Sequence, residues 1–411
     1  MLEQKMEEEI ELLGKGTYGC VFSPNLECDD RKMKPGEKYV SKIQKKDNVT
    51  KNEIEIGKKL ILYPGRFGPI IGSCPMTSGK IEKELLKKCD IAKKEEMITS
   101  NIRYIGKNTL DIFFQEIIGS TKSTLYLKQV VNKHLYLLNS LVLLNRENVL
   151  HLDIKSNNIM IDDITQNPIF IDFGISYDAS KLQLDEYKKT TKPFGIMIDY
   201  YTPWCFEIIL LTNISRYLMN KTTLVDPMKE QLVIKPHEIA KLKKDILGGF
   251  IKKNAILQMS IFTQVEKQEY LSRLQTLING FEGKTWAQIW NLIIATKDNW
   301  DNYALSVVIL SELELSGLIQ ISRDKQEEGS FNAYIQMLKQ ILLGNMSDAN
   351  ETMVKIKSIF TEVTKNGYEK VAKEMKQVFS DGKIIITMNA KRQAIVEKSL
   401  HEKNILLRQI R

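Results

Sequence analysis

Two short polar motifs, the second beginning fourteen residues after the first ends, restrict the folds and chemistries open to this chain. Residues 151–158 read HLDIKSNN, and residues 172–174 read DFG directly after the apolar run 169–171. Such a run predicts a buried strand. The second motif therefore places an acidic side chain, Asp172, at the end of a strand in the core.

The side chains of these motifs match the parts that transfer of a phosphoryl group needs. A carboxylate must orient the attacking hydroxyl, and two oxygen ligands must hold magnesium against the phosphates. A lysine beside the acceptor neutralises charge on the transferred group. Asp153 fits the first role, Asn158 and Asp172 fit the second, and Lys155 fits the third.

A glycine cluster near the N-terminus, Gly14, Gly16 and Gly19, has the spacing G-x-G-x-x-G, which alone is a weak signal. A dinucleotide-binding fold requires the third glycine to open a helix, whereas here Val21 continues a strand. A glycine loop between two strands lets backbone N–H groups close over phosphates, because no Cβ blocks the approach. Lys42, on the following strand, can supply a charge to those phosphates.

The glycine loop, the V-x-K-I strand around Lys42, the HLDIKSNN motif and DFG occur in an order typical of one family. The chain resembles a eukaryotic-type Ser/Thr protein kinase, in a divergent form similar to kinases of large DNA viruses. The resemblance implies an α+β, bilobal protein-kinase-like fold, with a small β-rich N-lobe (1–118) and a large helical C-lobe (119–380). A helical insertion at about 208–297 and a basic C-terminal tail at 381–411 complete the expected organisation.

The resemblance also implies ATP and Mg²⁺ as cofactors and a protein with a Ser or Thr acceptor as substrate. Asp153 and Lys155 are then the catalytic residues, and Asn158 and Asp172 the metal ligands. Lys155 favours Ser/Thr over Tyr acceptors. The expected ATP-binding residues are Gly14, Gly16, Gly19, Val21, Lys42, Glu53, Gln115, Ile117 and Met160.

Two acidic residues are assigned by analogy with the family. The lysine–glutamate ion pair is expected between Lys42 and Glu53, because apolar residues follow Glu53 at helical spacing. Glu55 is the second choice. Asp301 resembles the aspartate that braces the catalytic loop from below, which predicts a structural role.

The adenine pocket is assigned in the same way. We expect a strand over 110–118, with Phe114 as the gatekeeper and Gln115–Ile117 as the hinge that binds adenine through its backbone. Met160 is expected to form the floor of the pocket. For these residues, packing in the core is an equally good interpretation.

The sequence departs from the family pattern before the catalytic aspartate. Leu152 replaces a frequent arginine, so a phosphate in the following segment has no obvious cationic partner on the catalytic loop. We therefore expect an enzyme that is competent without phosphorylation. The hydroxyl groups concerned belong to Tyr187, Thr190 and Thr191.

A second departure is a long insertion. Pro203–Glu207 replaces the A-P-E motif, and more than ninety residues separate Glu207 from Asp301. Apolar residues recur at helical spacing in the insertion, which predicts a folded segment. Two interpretations remain open, a subdomain that extends the C-lobe and a docking surface for the substrate.

The composition limits the partners and the cellular compartment that we expect for this protein. The chain has 411 residues and a net charge of +8, which fits either solvated lysine-rich faces or phosphate-bearing ligands. The five cysteines show no CxxC pair, which argues against a disulfide framework or a zinc site and fits a reducing compartment. With no signal peptide and no long apolar run, we expect a soluble protein without membrane contact, in the cytoplasm, or in the host cytoplasm or virion if it is viral.

Three other functions are compatible with parts of the sequence. A pseudokinase would serve as a scaffold or binding module, but it commonly lacks the lysine or one of the aspartates that this chain keeps. A small-molecule phosphotransferase of the aminoglycoside or choline kinase type usually lacks the equivalents of Lys155 and Gly174. A nucleic-acid-binding function has only the net charge in its favour, so no specific nucleic-acid binding is expected.

Overall fold

The fold combines an antiparallel sheet in the N-terminal part with a mostly helical C-terminal part, an α+β class that agrees with the prediction. It is seen in a computed structural model. The residues described are 9–16, 19–26, 28, 33, 37–76, 89, 96–118, 123–187, 201–218, 227–316, 319, 330–344 and 347–361. The predicted tail (381–411) and Thr190 and Thr191 lie outside these residues.

The N-terminal sheet has five strands in the order β1-β2-β3-β6-β5, and all neighbours are antiparallel. Gly19 lies where β2 approaches β3 closely, because a Cβ there would be 1.9 Å from the Ile43 carbonyl oxygen. The glycine cluster thus lies between two strands and opens no helix, which excludes the dinucleotide-binding arrangement. The strands are β1 (Glu11–Gly16), β2 (Gly19–Ser23), β3 (Tyr39–Lys45), β5 (Ile70–Pro75) and β6 (Met97–Arg103).

Helix α1 (Asn48–Leu60) packs beside this sheet. The Asp47 carboxylate caps it by accepting a hydrogen bond from the Thr50 N–H, which satisfies a backbone donor of the first turn. Gly57 allows close packing, since a Cβ there would lie 2.7 Å from the Ile70 carbonyl oxygen on β5. The position of α1 relative to β3 is therefore well defined, and this position decides which acidic residue meets Lys42.

Two small sheets connect the N-terminal and C-terminal parts. Strand β4 (Phe67–Gly68) pairs in parallel with β9 (Pro168–Ile171), which in turn pairs with β8 (Ile159–Ile161). Strands β7 (Val149–Leu150) and β10 (Tyr177–Asp178) form the second small sheet. Both motifs of the sequence analysis lie at the ends of these strands.

The helices of the C-terminal part, apart from the short helix Pro227–Glu230, contribute to one hydrophobic core. Within the described residues, none is long and apolar enough to cross a bilayer. They are α2 (Leu110–Ile118), α3 (Ser123–Arg146), α4 (Leu184–Tyr187), α5 (Phe206–Leu218), α6 (Pro227–Glu230), α7 (Pro236–Lys241), α8 (Gly248–Lys253), α9 (Ala255–Gln258), α10 (Gln264–Asn279), α11 (Trp286–Ile294), α12 (Trp300–Leu315), α13 (Ser330–Leu342) and α14 (Ala349–Thr361), with a π-helical turn (Leu242–Leu247) joining α7 to α8 and short 3₁₀ turns at Ser156–Asn158, Ala179–Leu182 and Lys297–Asn299.

The predicted strand over 110–118 is wrong, because this segment forms helix α2. Leu110 and Phe114 are buried four residues apart on one face of the helix. Phe114 is therefore a residue of the helical core and does not end a strand as a gatekeeper. Gln115 and Ile117 likewise lie on a helix and not in an extended hinge. A short apolar run fits a strand and a buried helix equally well.

The prediction of unpaired cysteines is also wrong. Cys20 forms a disulfide with Cys89, and Cys28 forms one with Cys74, so both bonds involve the N-terminal part. Cys205 is free and buried. The expectation of a reducing compartment depended on the absence of disulfides, and it loses that support.

Candidate active site

Lys42 on β3 forms a buried ion pair with Glu53 on α1. The Lys42 Nζ lies 2.8 Å from Oε1 and 3.0 Å from Oε2 of Glu53. The same nitrogen is 3.6 Å from Oδ1 of Asp172. The second choice, Glu55, instead pairs with Lys58 on the exposed side of the helix. One cation thus faces two carboxylates, a charge arrangement that can accept an additional positive ion or orient phosphate oxygens.

The HLDIKSNN motif is held from below by helix α12. The Asp301 carboxylate accepts hydrogen bonds from the backbone N–H groups of His151 (2.7 Å) and Leu152 (3.0 Å). Leu152 has a φ of 61°, a left-handed conformation that costs free energy in a residue with a Cβ. The two hydrogen bonds to Asp301 stabilise this conformation, and the predicted bracing role of Asp301 is confirmed.

Asp153, Lys155 and Asn158 of the motif converge on one point. The Asn158 Nδ2 donates to the Asp153 carbonyl oxygen at 2.9 Å and to its Oδ2 at 2.8 Å. The Lys155 Nζ lies 3.2 Å from Oδ1 of Asp153. Asp153 is fully buried, and its carboxylate therefore has a defined orientation.

Asp172 is held at the end of β9 in an unusual backbone conformation, with a φ of 66°. The next residue, Phe173, is buried, and its ring centroid lies 4.9 Å from that of His151 and 6.1 Å from that of Phe67. This packing anchors the chain directly after Asp172. Strain of this kind persists where the surroundings determine it strongly, often at functional sites.

The donor set fits a magnesium ion. The Asn158 Nδ2 donates to Asp153, so Oδ1 is the amide atom that would bind a metal ion, and Asp172 would add a carboxylate. No cluster of three or more His, Cys, Asp or Glu side chains that could hold a metal occurs among the described residues. A site with one carboxylate and one amide suits Mg²⁺, which takes its remaining oxygens from phosphates and water.

The residues predicted to contact ATP do not all come together. Val21 on β2 is directly opposite Lys42 on β3, so the two side chains share a face of the sheet. Met160 on β8 bridges to Thr109. Gln115, in contrast, is exposed on α2. No contact with ATP is thereby established for Val21 or Met160, and their role stays a prediction.

The connection between the sheet and the helical part runs through residues 104–109, which the sequence motifs do not identify. Gly106 in this segment permits a close approach, because a Cβ there would lie 2.3 Å from the Ile161 carbonyl oxygen and 2.6 Å from Asp163 Oδ1. The signal was present in the sequence, since a glycine followed by Lys107 and Asn108 ends the strand pattern of β6.

Tyr201 was also missed, although its hydroxyl donates a hydrogen bond to Oδ1 of Asp153. The neighbouring Trp204 donates its indole N–H to the Leu152 carbonyl oxygen at 2.8 Å. Neither contact has a sequence signal, because residues about fifty positions apart meet only in the folded chain.

Comparison with known proteins gives a distant and partial similarity. No family model matches the chain. The Dual specificity protein kinase zakA of Dictyostelium discoideum is 26% identical over 189 residues, a match that covers 45% of this chain. The aligned region spans only 20% of the length of that protein. This similarity supports a protein-kinase-like family and, at that general level, phosphotransfer.

Proposed function

We propose that this chain is a Ser/Thr protein kinase that uses ATP and Mg²⁺. The observation that carries the proposal is the position of Lys42, whose Nζ is 2.8 Å from Glu53 and 3.6 Å from Asp172. A single cation then connects the phosphate-binding part of the site to its metal-binding part. The partial similarity to a protein kinase supports the same conclusion.

In the proposed mechanism each residue of the site has one task. Lys42 binds phosphate oxygens of ATP beneath the glycine cluster. Asp153 orients the acceptor hydroxyl and accepts its proton, while Lys155 neutralises charge on the transferred phosphoryl group. Asp172 and Asn158 would hold Mg²⁺, which when bound would neutralise charge at the phosphates. The bond between the γ-phosphorus of ATP and the bridging oxygen breaks, so that ADP is released, and the phosphoryl group forms a bond to the acceptor oxygen.

The finer parts of the proposal concern acceptor, fold and origin. Lys155 favours Ser and Thr acceptors, whereas the relative is by its name a dual specificity enzyme, so Ser, Thr and Tyr peptides all belong in the assay. We further propose a bilobal kinase fold and a resemblance to kinases of large DNA viruses. Of the host cytoplasm and the virion, the two disulfides favour the virion, because the cytosol keeps thiols reduced.

Adenine binding is proposed to shift to the connection between β6 and α2. We propose the backbone of residues 104–106 in place of Gln115 and Ile117. The Tyr104 N–H donates to the Lys38 carbonyl oxygen at 2.9 Å, and the Ile105 carbonyl oxygen accepts from the Asp163 N–H at 3.0 Å, so this segment connects the ends of β3 and β8. The strand bounds support this proposal, since β6 ends at Arg103 and Met160 bridges to Thr109.

Two substitutions test the proposed function. Asp153→Asn is expected to keep ATP binding and to lower kcat by roughly 10²–10⁴-fold, the usual contribution of a positioned acid–base group. Asp172→Ala is expected to abolish the rise in Tm that Mg-ATP gives beyond ATP alone. Asp298→Asn, a similar change at an exposed site, serves as the control. If the chain is a pseudokinase, the parent protein will transfer no phosphate. If Asp153→Asn transfers phosphate at the parental rate, the catalytic role of Asp153 is refuted.

A further inference from the structure

The Asp153 carboxylate has a contact that the proposed mechanism does not use. Its Oδ1 accepts a hydrogen bond from the Tyr201 hydroxyl, and the Lys155 Nζ lies 3.4 Å from the same hydroxyl oxygen. Lys155 is also 3.2 Å from Asp153 Oδ1. The phenol, the ammonium and the carboxylate thus form a closed triangle of polar contacts in which Tyr201 touches both catalytic residues.

Tyr201 is itself fixed against the catalytic loop. Only 2% of the residue is exposed. Its ring packs edge-to-face on Trp204, with a centroid distance of 5.5 Å. Trp204 in turn donates its indole N–H to the Leu152 carbonyl oxygen at 2.8 Å. The segment 201–204 therefore binds the loop at two consecutive residues, Leu152 through the indole and Asp153 through the phenol.

The two oxygens of Asp153 have different partners. Asn158 donates to Oδ2 at 2.8 Å, and Tyr201 donates to Oδ1. Two donors on opposite oxygens fix the plane of the carboxylate, which would otherwise rotate about its Cβ–Cγ bond. The Lys155 side chain is flexible and ends in a compact charge. Because the Tyr201 oxygen is itself bonded to Asp153, a hydrogen bond to this oxygen keeps the Lys155 ammonium beside Asp153.

We propose that Tyr201 is a positioning residue that holds Asp153 and Lys155 in the relative orientation that phosphoryl transfer requires. The proposal rests on the proposed function and deepens it. Small displacements of catalytic groups are costly, since a misplacement of about 1 Å can lower a rate roughly a hundredfold. The phenol acts through the two catalytic residues and does not itself exchange a proton or a phosphoryl group with the substrate.

The decisive variant is Tyr201→Phe, which keeps the ring on Trp204 and removes only the hydroxyl. We expect kcat to fall at least about tenfold with KM for ATP within about twofold of the parent. Tyr334→Phe is the matched control, because Tyr334 is 0% exposed and its hydroxyl lies 2.6 Å from His134 Nδ1, in another part of the core. The control is expected to lose stability without a comparable loss of kcat.

A second measurement does not depend on turnover. An acyl-phosphate derivative of ATP acylates lysines beside bound phosphates, and peptide mapping gives the ratio of label on Lys155 to label on Lys42. In Tyr201→Phe this ratio is expected to change severalfold, while Tyr334→Phe leaves it as in the parent. If the parent transfers no phosphate, the proposed function fails, and the labelling ratio still decides whether Tyr201 positions Lys155.

Three results would overturn the proposal. A higher kcat in Tyr201→Phe would mean that the phenol blocks the acceptor position. Phosphate on Tyr201, found by mass spectrometry after incubation with Mg-ATP and absent in Asp153→Asn, would make Tyr201 an acceptor. Equal losses of kcat in Tyr201→Phe and Tyr334→Phe, with an unchanged labelling ratio, would show a purely structural role.

Discussion

Two histidines are buried in the helical part, and burial opposes their protonation. Burial lowers the pKa of His134 to about 3. Burial also lowers the pKa of His151, although Asp301, Asp153 and Asp172 act in the opposite direction. Both imidazoles are therefore neutral in the folded protein at pH 7, and His134 Nδ1 lies 2.6 Å from the Tyr334 hydroxyl.

The neutral state of His134 predicts a loss of stability in weak acid. An unfolded histidine binds a proton below about pH 6.5, whereas folded His134 does so only near pH 3. The contribution of neutral His134 to the free energy of unfolding is thus fully present above pH 6.5. It falls as the pH is lowered from there toward 3, by at most about 1.4 kcal/mol per pH unit. Denaturant unfolding of the parent and of His134→Gln at pH 7, 6 and 5 checks this. The variant is expected to lose part of the slope, because His151 contributes in the same direction, and identical slopes would contradict the assignment.

Two polar contacts connect helix α1 to the segment that follows the DFG motif. The Asn52 Nδ2 donates to the Ser176 carbonyl oxygen at 2.7 Å, and the Lys59 Nζ lies 2.9 Å from Asp178 Oδ2. Burial acts to raise the pKa of Asp178, but hydrogen bonds from Ser180 and Lys59 outweigh it and lower that pKa. The ionised pair keeps α1 where Glu53 meets Lys42.

These contacts predict activity without a phosphate on the segment after DFG. Protein treated with phosphatase is expected to keep most of its activity, in agreement with the leucine at position 152. Lys59→Met is expected to lower activity about fivefold, the effect of losing about 1 kcal/mol in the equilibrium that places α1. Lys58→Met is the control, because Lys58 is on the same helix in an exposed pair with Glu55. Loss of most activity on phosphatase treatment would show that another cation binds a phosphate there.

The same elements show how far the sequence can predict this fold. The residues around Glu53 and the DFG motif were identifiable, because helical spacing and motif order are local properties. The helix over 110–118 was not identifiable, because an apolar segment of this length is compatible with both a buried helix and a strand. The cysteine pairs and the contact of Tyr201 with Asp153 join residues that only the folded chain brings together, and no local pattern encodes them.

In the whole molecule, the described residues of the predicted insertion (208–297) belong to the main core. Phe250, Tyr270 and Ile278 are buried in the same hydrophobic cluster as Trp300 of α12. Polar contacts also join this segment to other parts of the molecule. Lys339 on α13 forms a 2.6 Å ion pair with Glu266 on α10. Trp290 on α11 donates to the Leu182 carbonyl oxygen at 2.8 Å, in the segment after DFG. The described residues of this segment are mostly helical, in agreement with their apolar spacing, whereas the assignment of the segment as an insertion and its role in docking stay predictions.

This integration predicts that the insertion cannot be removed. Replacing residues 217–283 with a short Gly/Ser linker exposes the surfaces that Phe250, Tyr270, Leu274 and Ile278 cover. Burial of each such side chain contributes about 1.5–3 kcal/mol, and their sum reaches the total stability of roughly 5–15 kcal/mol expected of a domain. The shortened chain is expected to be insoluble or to lack cooperative unfolding by circular dichroism. A double variant at the surface, Met228→Ser with Val265→Ser, is expected to unfold like the parent, because both side chains are exposed. If the shortened chain instead unfolds cooperatively and phosphorylates a generic peptide, the insertion is a separable module, and loss of activity toward a protein substrate alone would then support the docking interpretation.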